Sequence, residues 1–178
     1  LTLSAAQVLE LRRRHGVAVP WLLMNSDRTR ADSLAALGDL PELAVGDLPL
    51  DFLQTLAPRL ERLSGRPTQL AVPEANWAPP GHGDLYVALW ASGLLEELLR
   101  RGLRWAFVAN VDNLGATVDL EMLGYLEREG IEFAIEVTDK TLADVKGGTL
   151  IRRRPTGRLE LLEVAQVESE HLGEFQDL

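Results

Sequence analysis

Hydrophobic positions alternate along this chain between helical stripes and short apolar runs. Near the start, Val8, Leu9 and Leu11 lie toward one side of a helix predicted over Ala5 to His15, with Ser4 as its N-cap and Gly16 as its stop. The apolar run Val19 to Met24 reads as a buried strand that ends at the polar turn Asn25, Ser26, Asp27. Thr29, with Asp32 three residues later, suits the cap of a second helix. The opening is therefore helix, strand, helix. Leu50 to Leu53 and Gln69 to Val72 read as short strands separated by a stretch punctuated with proline and glycine.

The segment Pro73 to Gly83, PEANWAPPGHG, is a loop that two adjacent prolines stiffen and two glycines open to close approach. Asp84 can cap a long helix running through Arg100, in which Glu96 and Glu97 precede Arg100 and Arg101 by one turn, and Gly102 stops it. Trp105 to Ala109 reads as a buried strand, followed by the polar loop Asn110, Val111, Asp112, Asn113, Leu114, Gly115. A helix over Val118 to Arg128 leads into a further strand, Ile131 to Val137. Such alternation predicts an α/β fold with a mainly parallel sheet flanked by crossover helices. Later, Thr149 to Arg153, the turn Pro155, Thr156, Gly157, and Arg158 to Ala165 predict a β-hairpin, and Ser169 to Phe175 a final helix. There is no internal repeat, low-complexity tract or linker-like composition shift.

With 178 residues, 46% of them hydrophobic and 25% charged, the chain matches one soluble domain or a large piece of one. No apolar run reaches the ~18 residues of a membrane span, and the first residues lack the pattern of a signal peptide, so a cytoplasmic location is expected. The absence of cysteine removes disulfides, thiolate metal sites and a thiol nucleophile. A net charge of −9 argues against broad contact with nucleic acid or an anionic membrane. It leaves a nucleotide possible, because a few backbone N–H groups, one or two cations and a metal can hold a phosphate group. The first residue is Leu1 rather than methionine, which suggests truncation or processing. Nothing in the sequence sets an oligomeric state.

In open α/β sheets, ligands collect beyond the carboxyl ends of parallel strands. Two loops are predicted there. In APPGHGD, His82 between Gly81 and Gly83 can donate to a phosphate or sugar hydroxyl, or can be an ordinary loop residue. Asp112, at the tip of a strand beside Asn110, has the hard oxygen that magnesium on a triphosphate needs, although a helix cap or Asx turn explains it equally well. Lys146 before Gly147 and Gly148 is in the wrong order for a phosphate-binding P-loop, so the glycines read as a turn. Glu163, set among Leu161, Leu162, Val164 and Ala165, either reaches into a pocket toward sugar hydroxyls or faces solvent. His15 and His171 suit helix termini or polar helix faces. Of Trp21, Trp77, Trp90 and Trp105, Trp77 in the proline loop is the one expected near a ligand.

The stretches VPWLLMNSDRTR, WAPPGHGDLY, FVANVDNLGATVD, EVTDKTLADVKGGTL and LELLEVAQV, in this order, closely resemble the central part of eukaryotic-like UDP-glucose pyrophosphorylases. The resemblance runs over nearly the whole chain, and PPGHGD separates this type from related UDP-N-acetylhexosamine enzymes. It implies a Rossmann-like (GT-A-like) nucleotidyltransferase domain that uses magnesium (Mg2+) to convert UTP and glucose 1-phosphate into UDP-glucose and pyrophosphate. By motif match, Gln54 in FLQTLAPR and Gly81 would contact the uridine part, His82 the sugar phosphate or nucleotide, Asn110 the glucose ring, Asp112 the metal and Glu163 the glucose hydroxyls. Lys146 and Asp144 fall in a family motif without an assigned role. Other sugar 1-phosphates as substrates, or a non-catalytic nucleotide-sugar binding module, are the alternatives. The family's glycine-rich loop with its lysine, and its C-terminal β-helix, would lie outside residues 1–178. The 178-residue chain by itself is accordingly expected to release no pyrophosphate from UTP, glucose 1-phosphate and magnesium; robust release in a coupled pyrophosphate assay would refute this.

Overall fold

In the computed structural model of the chain, residues 1–139, 141 and 147–176 are described; Asp144 and Lys146 lie outside them. The chain divides into two compact units, Leu1–Asp119 and Leu120–Leu178.

The first unit is organised around a parallel pair of strands, β1 (Leu23–Asn25) and β2 (Asp51–Leu53), joined through helix α2 (Arg30–Leu37). Leu23 lies opposite Asp51, Met24 opposite Phe52 and Asn25 opposite Leu53. Successive side chains on a strand point to opposite faces, and two hydrophobic clusters follow from that alternation. Leu23 packs with Ala5 of helix α1 (Thr2–His15), Leu37 of α2 and Leu43. Phe52, with Met24 against it, packs with Leu48 and with Ala88 and Leu94 of helices α3 (Leu85–Ala91) and α4 (Leu94–Arg100). The result is a helix, sheet, helix arrangement around a sheet that is two strands wide among the described residues.

Polar groups fix the edges of this packing. Arg12 on α1 donates to the carbonyls of Val19 (2.9 Å), Glu42 (2.8 Å) and Leu43 (3.0 Å), three backbone acceptors that no strand or helix satisfies. Asp51 and Asn25 are buried within the strands. The Asp51 carboxylate meets Arg30 at two points (2.8 and 3.1 Å) and accepts from the Asn25 amide (3.2 Å), which offsets the loss of its hydration.

Several predicted elements are shorter than the sequence suggests. The strand expected over Val19 to Met24 contracts to β1, because only Leu23, Met24 and Asn25 face a partner strand. Ser4 is not the N-cap of α1: the helix begins before it, and its hydroxyl donates instead to the carbonyl of Val111 (3.0 Å). Gly16 does end α1, in the left-handed conformation with φ 63°. Thr29 occupies the N-cap position of α2, but its hydroxyl oxygen accepts from the N–H of Ser26 (3.1 Å) rather than capping the helix.

Gln69 to Val72 is no strand. The Asn76 side chain folds over it, accepting from the Leu70 N–H (2.7 Å) and the Thr68 hydroxyl (3.0 Å) and donating to the Leu70 carbonyl (3.3 Å). A small antiparallel pair, β3 (Ala57–Pro58) with β4 (Trp77–Ala78), forms nearby instead. The long helix predicted through Arg100 breaks into α3 and α4 at Ser92 and Gly93, where Gly93 takes φ 77°. Glu97, rather than Glu96, gathers the arginines, with Arg100 at 2.6 Å and Arg101 beside it; both hold its carboxyl below the usual carboxylate range. Trp105 to Ala109 lies in no sheet among the described residues, and Phe107 and Val108 are exposed.

The second unit contains α5 (Leu120–Glu129) and the predicted hairpin, with β5 (Thr149–Arg152) antiparallel to β6 (Leu159–Leu162). Its turn closes through Arg153 N–H to Arg158 O (2.9 Å) and Gly157 N–H to Arg153 O (2.7 Å). Ile131 to Val137 forms no strand among the described residues. A short 3-10 turn at Ser169–His171 runs into α6 (Leu172–Gln176). Among the described residues no helix is long and apolar enough to cross a membrane.

Leu43 is fully buried in the first cluster. Leu43→Ala is expected to cost about 2–5 kcal/mol of unfolding free energy, read from the shift of a urea transition.

Candidate functional site

Both strands of the parallel pair leave the sheet in the same direction, and the residues just past β2 meet the glycine loop. The N–H of Gln54 bonds the Asn25 carbonyl (2.8 Å), carrying the ladder one residue beyond the strand. Its side-chain amide donates to the carbonyl of Gly81 (3.3 Å). Thr55 then binds Asp84 twice, through its N–H (2.6 Å) and its hydroxyl (2.7 Å), so that both carboxylate oxygens are engaged. Asp84 stands at the N-cap position of α3 yet makes no side-chain cap bond there. Its own N–H returns to Gly81 O (3.1 Å), so the Gly81 carbonyl accepts from two donors.

The turn between Gly81 and Asp84 depends on glycine at its first position. Gly81 adopts φ 110° and ψ −171°, a region that residues with a Cβ avoid. No atom lies within 4 Å of a Cβ built there, so the requirement comes from the backbone and not from crowding. His82, the next residue, is exposed, while Asp84 two residues later is buried. Along β2, Arg30, Asp51, Phe52, Thr55 and Ser92 are among the residues lining an open groove of about 500 Å³.

The loop from Asn110 to Gly115 is anchored to α1. Ser4 donates to Val111 O (3.0 Å) and Gln7 to Leu114 O (2.9 Å), while Asn113 N–H closes onto Asn110 O (3.0 Å). Asn110 and Asp112 are exposed. The Asp112 carboxylate makes no hydrogen bond or ion pair among the described residues, and neither does it act as a helix cap or Asx acceptor. No hydrogen bond among the described residues joins this loop to the Gly81 turn. The structure thus brings Gln54 and Gly81 into direct contact and holds Asn110 and Asp112 on a separate support.

Glu163 belongs to the second unit and lies one residue past β6. It is exposed and forms a reciprocal cap with Gln166, whose side chain accepts from the Glu163 N–H (2.9 Å). The same unit holds Glu168, Glu170 and His171 within mutual reach of a cation, all exposed and none predicted as site residues. Among the tryptophans, Trp77 is 46% exposed but Trp90, on α3, is more so at 71%. Sequence reasoning missed Thr55, and it read Asp84 only as a helix cap.

A family model described as UTP--glucose-1-phosphate uridylyltransferase matches residues 1–178. UTP--glucose-1-phosphate uridylyltransferase 2 of Dictyostelium discoideum is 40% identical over 181 residues, and the enzyme of that name from Solanum tuberosum is 43% identical. Both alignments cover 100% of this chain, which spans 35% of the first relative's length and 37% of the second's. Among solved structures, UDP-glucose phosphorylase of Trypanosoma brucei is similar at TM-score 0.85 and 36% identity, over 98% of this chain and 39% of that one. A mutant UDP-glucose pyrophosphorylase of Leishmania major, crystallised with UDP-glucose, is similar at TM-score 0.86 and 35% identity, over 99% of this chain and 40% of that one.

Gly81→Ala is expected to lower stability by roughly 1–3 kcal/mol through backbone strain alone, measured as a shift in the denaturation midpoint; an unchanged midpoint would show that the turn relaxes freely.

Proposed function

The chain belongs to the UTP--glucose-1-phosphate uridylyltransferase family, and from that membership we propose that the full-length protein carrying it makes UDP-glucose and pyrophosphate from UTP and glucose 1-phosphate. The observation that carries this reading to particular residues is the Gln54 to Gly81 bond at the carboxyl end of β2, since both were picked out for the uridine part. A donor bond from Nε2 fixes the Gln54 amide with its Oε1 as an acceptor. Uracil offers a donor at N3 where cytosine offers an acceptor, so this orientation favours the uracil base.

The reaction needs no protein nucleophile. A phosphate oxygen of glucose 1-phosphate, already anionic, attacks the α-phosphorus of UTP; the new P–O bond forms as the bond to the β-phosphate oxygen breaks, and pyrophosphate leaves with the electron pair. The protein's part is alignment and charge compensation. His82, exposed on a turn held at both ends, donates to the sugar phosphate or nucleotide. Asn110 contacts the glucose ring, and Glu163 accepts from glucose hydroxyls.

Asp112 suits a magnesium ion: it is a solvent-facing carboxylate with no competing partner among the described residues, and magnesium commonly takes only one or two protein carboxylates beside phosphate oxygens. When bound, the ion would neutralise charge on the triphosphate. The cytoplasm is the compartment we assign, in keeping with a chain that has no cysteine to oxidise.

Pyrophosphate release by the full-length protein, with a panel of sugar 1-phosphates, tests the substrate assignment. Asp112→Ala in that protein is expected to reduce kcat by about 100-fold or more at saturating magnesium, and unchanged turnover would refute the metal role.

A further inference from the structure

Asp84 is buried, yet its carboxylate caps no helix and pairs with no cation among the described residues; both oxygens face Thr55 instead. We infer that Asp84 is a positioning residue that locks the turn bearing His82 to the strand end bearing Gln54, so that base recognition and phosphate placement are set by a single rigid element. The inference rests on the uridylyl-transfer reading above.

Three bonds make the lock. Two run from Thr55 to Asp84, and the third from the Gln54 amide to Gly81 O. Gln54 and Thr55 are consecutive, and Gly81 and Asp84 bracket His82, so the bonds cross-brace two short segments at both ends. A single bond would leave a hinge; bonds at both ends remove it. The Thr55 N–H is a backbone donor just past the end of β2, where no strand neighbour would otherwise accept from it, and that anchors the turn to the sheet itself. The Gln54 amide is held against Gly81 only while Asp84 keeps the turn in place. Loosening Asp84 therefore frees the Gln54 side chain to rotate, and an amide that rotates by half a turn presents a donor where it presented an acceptor.

That exchange gives the test a readout that a loss of folded protein cannot mimic. A variant with fewer folded molecules lowers turnover with UTP and CTP alike, whereas a loosened lock narrows the preference between them. In the full-length protein, Asp84→Ala removes both bonds. It is expected to lower kcat/KM for UTP about tenfold and to shrink the UTP-over-CTP ratio of kcat/KM by about threefold or more. Asp84→Asn, whose amide can accept from the Thr55 N–H and donate to its hydroxyl oxygen, should recover most of the ratio. Thr55→Val removes one bond at nearly constant shape and should shrink the ratio to a smaller extent. If Asp84→Ala gives no cooperative unfolding transition, Thr55→Val decides. An active wild-type enzyme with an unchanged ratio in these variants overturns the inference alone. A wild-type enzyme inert toward UTP and glucose 1-phosphate overturns the reading of the reaction and this inference with it.

Discussion

Alternation of side chains along a parallel pair three residues long is the constraint on which the first unit depends. Leu23 faces one way and Met24 the other, so the pair is covered on one side by α1 and α2 and on the other by α3 and α4. A slip of one residue would exchange the two faces and bring the buried Asn25 and Asp51 into apolar surroundings. Arg30 and Asn25 secure the register from the polar side, because Asp51 finds its compensation only in its present place. With register and faces fixed, the exit points of both strands are fixed too. Gln54 and Thr55 are simply the next residues out.

Much of this was legible in the order of elements, and the failures have identifiable physical sources. The run at Trp105 to Ala109 looks like β1 in composition, but a strand exists only where a neighbour supplies the other half of the ladder, and composition carries no information about that neighbour. Gln69 to Val72 failed differently. There a single amide, Asn76, satisfies the backbone that a strand partner would have served, and nothing in the local pattern distinguishes that amide from any loop asparagine. The break between α3 and α4 was readable in principle, since Ser92 followed by Gly93 is a stop signal inside an otherwise helical stripe. The hairpin, by contrast, was well specified by its turn residues, although its second strand ends at Leu162 rather than Ala165, where a 3-10 turn takes over.

The candidate site divides in the same way. Gln54, Gly81, His82, Asn110, Asp112 and Glu163 could be singled out because residue type and motif order point to them. What they rest on could not be. Asp84 precedes a helix and so resembles a cap, and only the folded chain, which brings Thr55 across from 29 residues away, reveals that the carboxylate has another use. Asp84 stands in the same APPGHGD stretch as His82, but its partner Thr55 is found only in three dimensions.

The two supports of the site also differ in how far apart their ends lie along the chain. The Thr55 to Asp84 bond spans 29 residues, while the Ser4 to Val111 bond that docks the Asp112 loop spans 107. For an unfolded chain, closing the longer loop costs roughly 1 kcal/mol more in entropy. The turn carrying His82 is thus braced by a closure inside the β1, α2, β2, α3 region, whereas the loop carrying Asp112 is docked by a bond that joins the two sequence ends of the first unit. Docking the Asp112 loop therefore gives up more chain entropy than bracing the His82 turn, and its position depends on α1 being in place.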